Sequence, residues 1–176
     1  MGSGSRSGRT GTDMDIILAD RTAETAAIYF ERTNNETVRK FLPQKAESVE
    51  EAVADFHLSQ RPGASSFGRT ILLDGQYVGD VWCYGIDPAG SPNAMVSYCI
   101  FEPDGRGRGV ASQALALFLG EIVPKFGLET VGAFTYADNL PSIRVLEKNG
   151  FRLAEEFTED GVSSQYFQLD LHQKEA

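Results

Sequence analysis

The chain has 176 residues, enough for one domain with a substantial core, and its 41% hydrophobic and 23% charged residues are ordinary for a globular protein. Lys and Arg number 16 against 25 Asp and Glu, a formal net charge of −9. This balance argues against nucleic acid or an anionic membrane as the main partner and suits a cationic substrate such as an amine. Cys83 and Cys99 match no zinc or redox spacing and read as reduced packing residues, which points to a cytoplasmic protein. His57 and His172 are the only histidines and sit in unrelated contexts, so neither a metal site nor a Ser-His-Asp triad is expected. No apolar run reaches the roughly 18 residues a spanning helix needs.

Met1 to Thr12 is rich in Gly, Ser, Arg and Thr and reads as a cloning-derived or disordered extension, leaving one domain over residues 13–176. Ile16 to Ala19 is a short strand, and Asp20 to Arg32 is mostly helical. Thr37 to Leu42 forms another turn or two before Pro43 stops it. Ser48 and Glu51 have the spacing of a capping box, with Val49, Ala52, Val53 and Phe56 forming a helical stripe behind them. From Phe67 the period shortens. Phe67 to Leu73 and Gln76 to Tyr84 flank Asp74-Gly75, a strong hairpin dipeptide. Ala94 to Phe101 is apolar enough to be a central strand.

Next comes Asp104-Gly105-Arg106-Gly107-Arg108-Gly109, and then a helix striped by Val110, Ala111, Ala114, Leu115, Phe118, Leu119 and Ile122. Glu129 to Tyr136 is a strand, and Ser142 to Lys148 a short helix with Pro141 in its first turn and Gly150 just past its end. Phe151 to Thr158, the Asp160-Gly161 turn and Ser164 to Leu171 close the chain as a second hairpin. The order β-α-α-β-β-β-α-β-α-β-β describes a mixed α/β fold with the glycine loop near the middle of its sheet.

Glycines between a strand and a helix let several N–H groups converge on one spot, where the helix adds its own unpaired N–H groups and positive dipole end. Such a place binds an anion, most simply a phosphate or pyrophosphate, and arginines fit the same task. The P-loop spacing G-x-x-x-x-G-K-S/T is absent. A dinucleotide fingerprint fails too: Gly107-Arg108-Gly109-Val110-Ala111-Ser112 ends in serine and follows several antiparallel strands.

Arg106-x-x-Gly109-x-Ala111 does resemble the Q/R-x-x-G-x-G/A signature of the GNAT acetyltransferase superfamily. Asn139-Leu140-Pro141-Ser142 and Leu146-Glu147-Lys148-Asn149-Gly150-Phe151 are similar to elements downstream of it. The pattern is most like the branch that includes the ribosomal-protein N-terminal acetyltransferases. The resemblance implies a central, mostly antiparallel sheet of about seven strands with splayed middle strands, flanked by about four helices. It implies acetyl-CoA as the acyl donor, no metal, and a primary amine acceptor: a protein N-terminus, a polyamine, an amino acid or another small amine. A homodimer is left open. The alternative is a non-catalytic acyl-CoA-binding or regulatory module of the same fold.

On that resemblance Arg106, Gly107, Arg108, Gly109, Val110 and Ala111 cradle the pyrophosphate. Ile100 and Phe101 offer main chain to the pantetheine arm, and Cys99 beside them reads as packing. Asn139 bonds the arm or caps its helix. Ser142 faces the departing sulfur, since the position four residues later, often tyrosine in the superfamily, is Leu146 here. Glu159, beside the last hairpin turn, is the first choice of base, with Glu102 and Tyr136 as others. Phe41, Trp82 and Tyr84 are expected to line an acceptor pocket.

Overall fold

The computed structural model describes residues 14–42 and 46–171, so the expectations placed on Met1 to Thr12 and on Pro43 fall outside the described residues. β1 (Ile16–Asp20) leads into α1 (Ala23–Thr33). The helix starts later than the sequence suggested because Asp20 is held in β1, paired with Arg69. Thr22 then caps it, exchanging hydrogen bonds with Thr25 in a complete capping box. After α2 (Glu36–Phe41) comes α3 (Val49–Ser59), whose N-cap Ser48 accepts from the Glu51 N–H at 3.1 Å. The Glu51 carboxylate accepts from the Glu47 N–H rather than from Ser48, so the predicted box closes one residue early. The expected stripe of α3 is half-buried, and none of its residues is fully buried.

β2 (Phe67–Leu73) and β3 (Gln76–Asp87) form the first hairpin, β6 (Arg152–Glu159) and β7 (Val162–Asp170) the last. Both predicted Asp-Gly turns have positive φ at both central residues: 49° and 86° at Asp74 and Gly75, 51° and 77° at Asp160 and Gly161. That is the type I′ geometry whose twist matches the flanking strands. Between the hairpins lie β4 (Asn93–Ile100), α4 (Val110–Phe126), β5 (Thr130–Tyr136) and α5 (Leu140–Lys148). α4 continues past Pro124 and ends at Gly127, where φ is 63°.

The seven strands form one sheet in the order β1-β2-β3-β4-β5-β7-β6, with β4 at its centre as its apolar composition suggested. Alternation sorts side chains to the two faces. Ile71, Val81, Cys83, Ala94, Val96, Val131, Ala133 and Phe167 share a core with Ala114, Leu115, Phe118 and Ile122 of α4 and with Leu146 of α5. Asp80, Trp82 and Cys99 lie on the opposite face, toward α1. Among the described residues there are five α-helices; the one beyond expectation is α2, which the sequence showed only as a further turn or two.

One pairing decides where a ligand can enter. β4 and β5 are parallel and share only the pairs Asn93↔Thr130, Ala94↔Val131 and Met95↔Gly132. Beyond Met95 the strands part, while β3 follows β4 to Ile100 and β7 follows β5 to Tyr136. The split begins at Gly132, where an added Cβ would stand 2.6 Å from Tyr166 Oη and 2.7 Å from Met95 Sδ. On the other flank of β4, a Cβ at Gly79 would lie 2.1 Å from the Cys99 carbonyl oxygen. Gly79→Ala should therefore displace the end of β4 and destabilise the protein by about 2 kcal/mol or more, read as a lower urea midpoint. An unchanged midpoint would mean that β3 and β4 are not so closely apposed.

Candidate functional site

The end of β4 is held before the glycine loop begins. The carbonyl of Val78, at a bulge in β3, accepts from the Phe101 N–H at 2.9 Å and the Glu102 N–H at 3.3 Å. Pro103–Gly105 make one 3₁₀ turn, and Gly105 is packed beneath Ile100 and Val78. Arg106 Nε donates to the Ile100 carbonyl at 3.0 Å. Two main-chain groups expected to face a bound arm are therefore occupied, the Phe101 N–H by Val78 and the Ile100 carbonyl by Arg106.

Gly107 and Gly109 adopt φ of 72° and 79°, a left-handed region that glycine enters without strain. A Cβ on either would meet nothing within 4 Å, so the space before them is open. Gly109 is the N-cap of α4 and has no side chain with which to cap it. The N–H groups of Val110, Ala111 and Ser112 begin the helix without intrahelical acceptors, at the positive end of a 17-residue dipole. Arg106 and Arg108 are exposed beside them. The loop expected from the sequence is thus an open glycine turn set against the N-terminus of α4.

The second motif has a structural account. Past the C-cap Asn149, the Gly150 N–H bonds the Glu147 carbonyl and the Phe151 N–H bonds the Leu146 carbonyl, with Gly150 at φ 87°. This is a Schellman closure, and its customary apolar contact is supplied by Leu146 and Phe151, both in the core. Asn149 Nδ2 donates to the Ser112 carbonyl at 3.2 Å and to the Val145 carbonyl at 3.0 Å, tying the end of α5 to the first turn of α4. Asn139 is the N-cap of α5, accepting from the Ser142 N–H at 3.4 Å. Ser142, in the first turn of α5, meets a partner that the sequence reading missed: its Oγ is 2.9 Å from Tyr98 Oη. Tyr98 lies on β4 beyond the last β4–β5 pair, and burial pushes its hydroxyl up to about 12.

On the α1 face Asp80 is almost fully buried, in an ion pair with Arg21 at 3.1 Å and accepting a hydrogen bond from Tyr77 Oη at 2.5 Å. Burial raises the Asp80 carboxyl pKa against the pull of Arg21 and Tyr77, and it raises the hydroxyls of Tyr77 and Tyr29 as well. Trp82, expected in a pocket, packs edge-on against Tyr29 and lies 5.5 Å from the Arg21 guanidinium, so it belongs to this packed cluster. Glu102 is paired with Arg32 at 2.8 Å, and Tyr136 meets the Phe41 ring at 6.2 Å.

Farther out on that face the sheet is less covered. Phe134, 55% exposed, contacts Tyr166 and Phe157, with ring centroids 5.2 and 5.9 Å apart. By alternation along β6, Glu155 and Glu159 share this face with Phe157. Glu159 stands exposed at the end of β6, two strands from β5 in the sheet. Among the described residues no group of three or more His, Cys, Asp or Glu is arranged to hold a metal, and no helix is long and apolar enough to cross a membrane.

Comparison with known proteins places this geometry. The sequence profile of the Acetyltransferase (GNAT) domain matches residues 16–152. No curated protein sequence matches the chain. Among solved structures, Mycobacterium smegmatis RimJ in complex with CoA-disulfide is 19% identical, with a TM-score of 0.78 over 92% of this chain and 84% of that one. RimL, the ribosomal L7/L12 alpha-N-protein acetyltransferase in complex with coenzyme A, is 19% identical at a TM-score of 0.74, over 88% of this chain and 93% of that one. The aminoglycoside acetyltransferase AAC(6')-Ib in complex with coenzyme A is 14% identical at 0.72, over 90% and 95%. At these identities the likeness is one of fold.

Both cysteines are buried, and burial raises each thiol to about 11. At pH 8 on the order of one thiol in a thousand is then thiolate. Ellman's reagent should label neither cysteine quickly in the folded protein and both after unfolding. Rapid labelling of the native state would place Cys99 in solvent at the split.

Proposed function

The chain belongs to the GNAT acetyltransferase family, and on that premise we propose that it transfers an acetyl group from acetyl-CoA to a primary amine, both substrates being bound together. The observation that carries this reading is the juxtaposition of an open strand edge, where β4 and β5 part after Met95↔Gly132, with the glycine cradle that starts α4. The donor fits the residues present. The open space before Gly107 and Gly109 and the free N–H groups at the start of α4 suit a pyrophosphate, held by Arg106 to Ala111. The side of Val96 to Cys99 that lacks a strand partner suits an amide-bearing arm.

Acetyl-CoA supplies an activated thioester, from which sulfur departs as the amine nitrogen takes the acetyl group. The chain supplies alignment and polarity. Main-chain N–H groups of the split polarise the thioester oxygen, and Ser142 donates a hydrogen bond toward the sulfur. The acceptor side is the open sheet face beyond α1, where Phe134, Phe157 and Tyr166 offer an apolar floor and Glu155 and Glu159 draw a cation. This combination favours an amine carried on an alkyl or aromatic body, including a protein N-terminus. Glu159 is the carboxylate we assign to the acceptor's proton, directly or through water.

Incubation with acetyl-CoA and a panel of amines, followed by detection of free thiol, should show amine-dependent thiol release. Tight CoA binding by calorimetry with no thiol release from any amine would instead establish a non-catalytic acyl-CoA module. Gly109→Ala introduces a Cβ at φ 79°, costing about 1–2 kcal/mol, and places it in the open cradle. CoA affinity should fall at least about tenfold; unchanged affinity would remove the cradle. Ser142→Ala should lower kcat by about 10- to 100-fold with CoA affinity within about twofold. A wild-type kcat would exclude Ser142 from the chemistry.

A further inference from the structure

Tyr98 is three residues beyond the last β4–β5 pair, opposite Val81 on β3, and its ring packs against the core on the α4 and α5 face. From there the side chain spans the gap left by the parted strands to reach α5. Its Oη lies 2.9 Å from Ser142 Oγ and 3.2 Å from the Ser142 carbonyl oxygen. We propose that Tyr98 is a positioning residue for Ser142: by donating its hydroxyl proton to Ser142 Oγ, it turns the serine's own proton outward, toward the sulfur that leaves the thioester. This inference rests on the role proposed above for Ser142.

The number of protons available decides between two arrangements of the pair. Each hydroxyl has one to donate. If Tyr98 donates to the Ser142 carbonyl, the short contact between the two hydroxyls can be filled only by the serine proton, which then points inward. If Tyr98 donates to Ser142 Oγ, the serine proton is released for an outside acceptor. The two arrangements use the same atoms and differ by rotation of two hydroxyls. Negative charge growing on sulfur favours the second, and the chained hydrogen bonds strengthen one another in a site of low dielectric.

Without the phenol, a serine here has a competing option: its hydroxyl can bond back to a carbonyl three or four residues earlier. Leu146, the next α5 side chain on that face, is in the core and offers no hydroxyl. With its hydroxyl raised to about 12, Tyr98 stays protonated, and so remains a donor, well above neutral pH.

No proton leaves the pair. A thiol of pKa about 8.5 is a stronger acid than either hydroxyl, so the pair acts through hydrogen bonds alone. The reaction balances without it: a C–N bond forms, the C–S bond breaks with its electrons on sulfur, and the amine's proton passes to Glu159, directly or through water.

Tyr98→Phe keeps the ring and removes only the hydroxyl. We expect kcat to fall about tenfold, with the KM for acetyl-CoA and the calorimetric CoA affinity within about twofold. Tyr98→Phe combined with Ser142→Ala should be no slower than Ser142→Ala alone, because the phenol acts only through the serine. In coenzyme-free protein, the fall in Tm of the double variant should be smaller than the sum of the two single falls, which reports the hydroxyl pair without any turnover. Wild-type kcat in Tyr98→Phe, or losses that multiply in the double variant, would overturn the inference. A wild-type enzyme inert toward every amine would remove the acetyltransferase reading and this inference together, whereas an active wild type with an unaffected Tyr98→Phe removes this inference alone.

Discussion

A strand edge enclosed by protein has hydrogen-bonding groups that must find partners, and the parting of β4 and β5 creates two such edges in the middle of the sheet. The rest of the site follows from that parting. A parallel pair requires a long crossover, here α4, and the crossover must begin where β4 ends. The cradle therefore lies at one end of the split by topology. α5 begins where β5 ends, so Ser142 lies at the same end of the sheet, across the gap. Gly132 allows the opening to start where it does, because Met95 and Tyr166 close over a position that can hold no side chain.

Keeping the strands apart needs rigid flanks. α4 buries Leu115, Phe118 and Ile122 completely against the first four strands. Asn149 fastens the first turn of α4 to the end of α5, so the glycine loop's helix and the serine helix are joined directly. On the opposite face Arg21, Asp80 and Tyr77 join α1 to β3. A buried ion pair adds little net stability, but removing one partner from it is costly. The cluster thus holds α1 in one position, and with it Tyr29 against Cys99 and Phe101 at the tip of β4.

What could be read from the residues was what they determine locally. Asp74-Gly75 and Asp160-Gly161 encode their turns in their own backbone preferences. The cradle glycines likewise need only their neighbours to form. The start of α1 was misplaced because Asp20 is claimed by a strand partner 49 residues away, which no local pattern reveals. The capping signal at Ser48 was legible, but the direction in which the Glu51 side chain turns was not. Asn149 and Gly150-Phe151 were recognisable as a family pattern, yet their work of closing α5 and tying it to α4 is visible only in three dimensions. Trp82 looked like a pocket residue, whereas strand alternation and the packing of Arg21 and Tyr29 make it a half-buried member of their cluster. Tyr98 carried no signal, since an aromatic at an alternating position of a central strand reads as core, and its partner is 44 residues away.

The margins of the sheet are built differently from its interior split. β1, at one margin, has only five residues. β6, at the other, is exposed along almost its whole length, carries Glu155, Glu156 and Glu159, and is interrupted by a bulge between Leu153 and Glu155. Shortness, like charge and a bulge make poor templates for a foreign strand, and all three discourage the edge-to-edge growth that leads to aggregation. The interior edge of β4 has none of these guards: Val96 to Ile100 is an uncharged run. The molecule thus discourages strand addition at both margins while leaving, beyond Met95, an inner length of β4 with no such guard and no β5 partner.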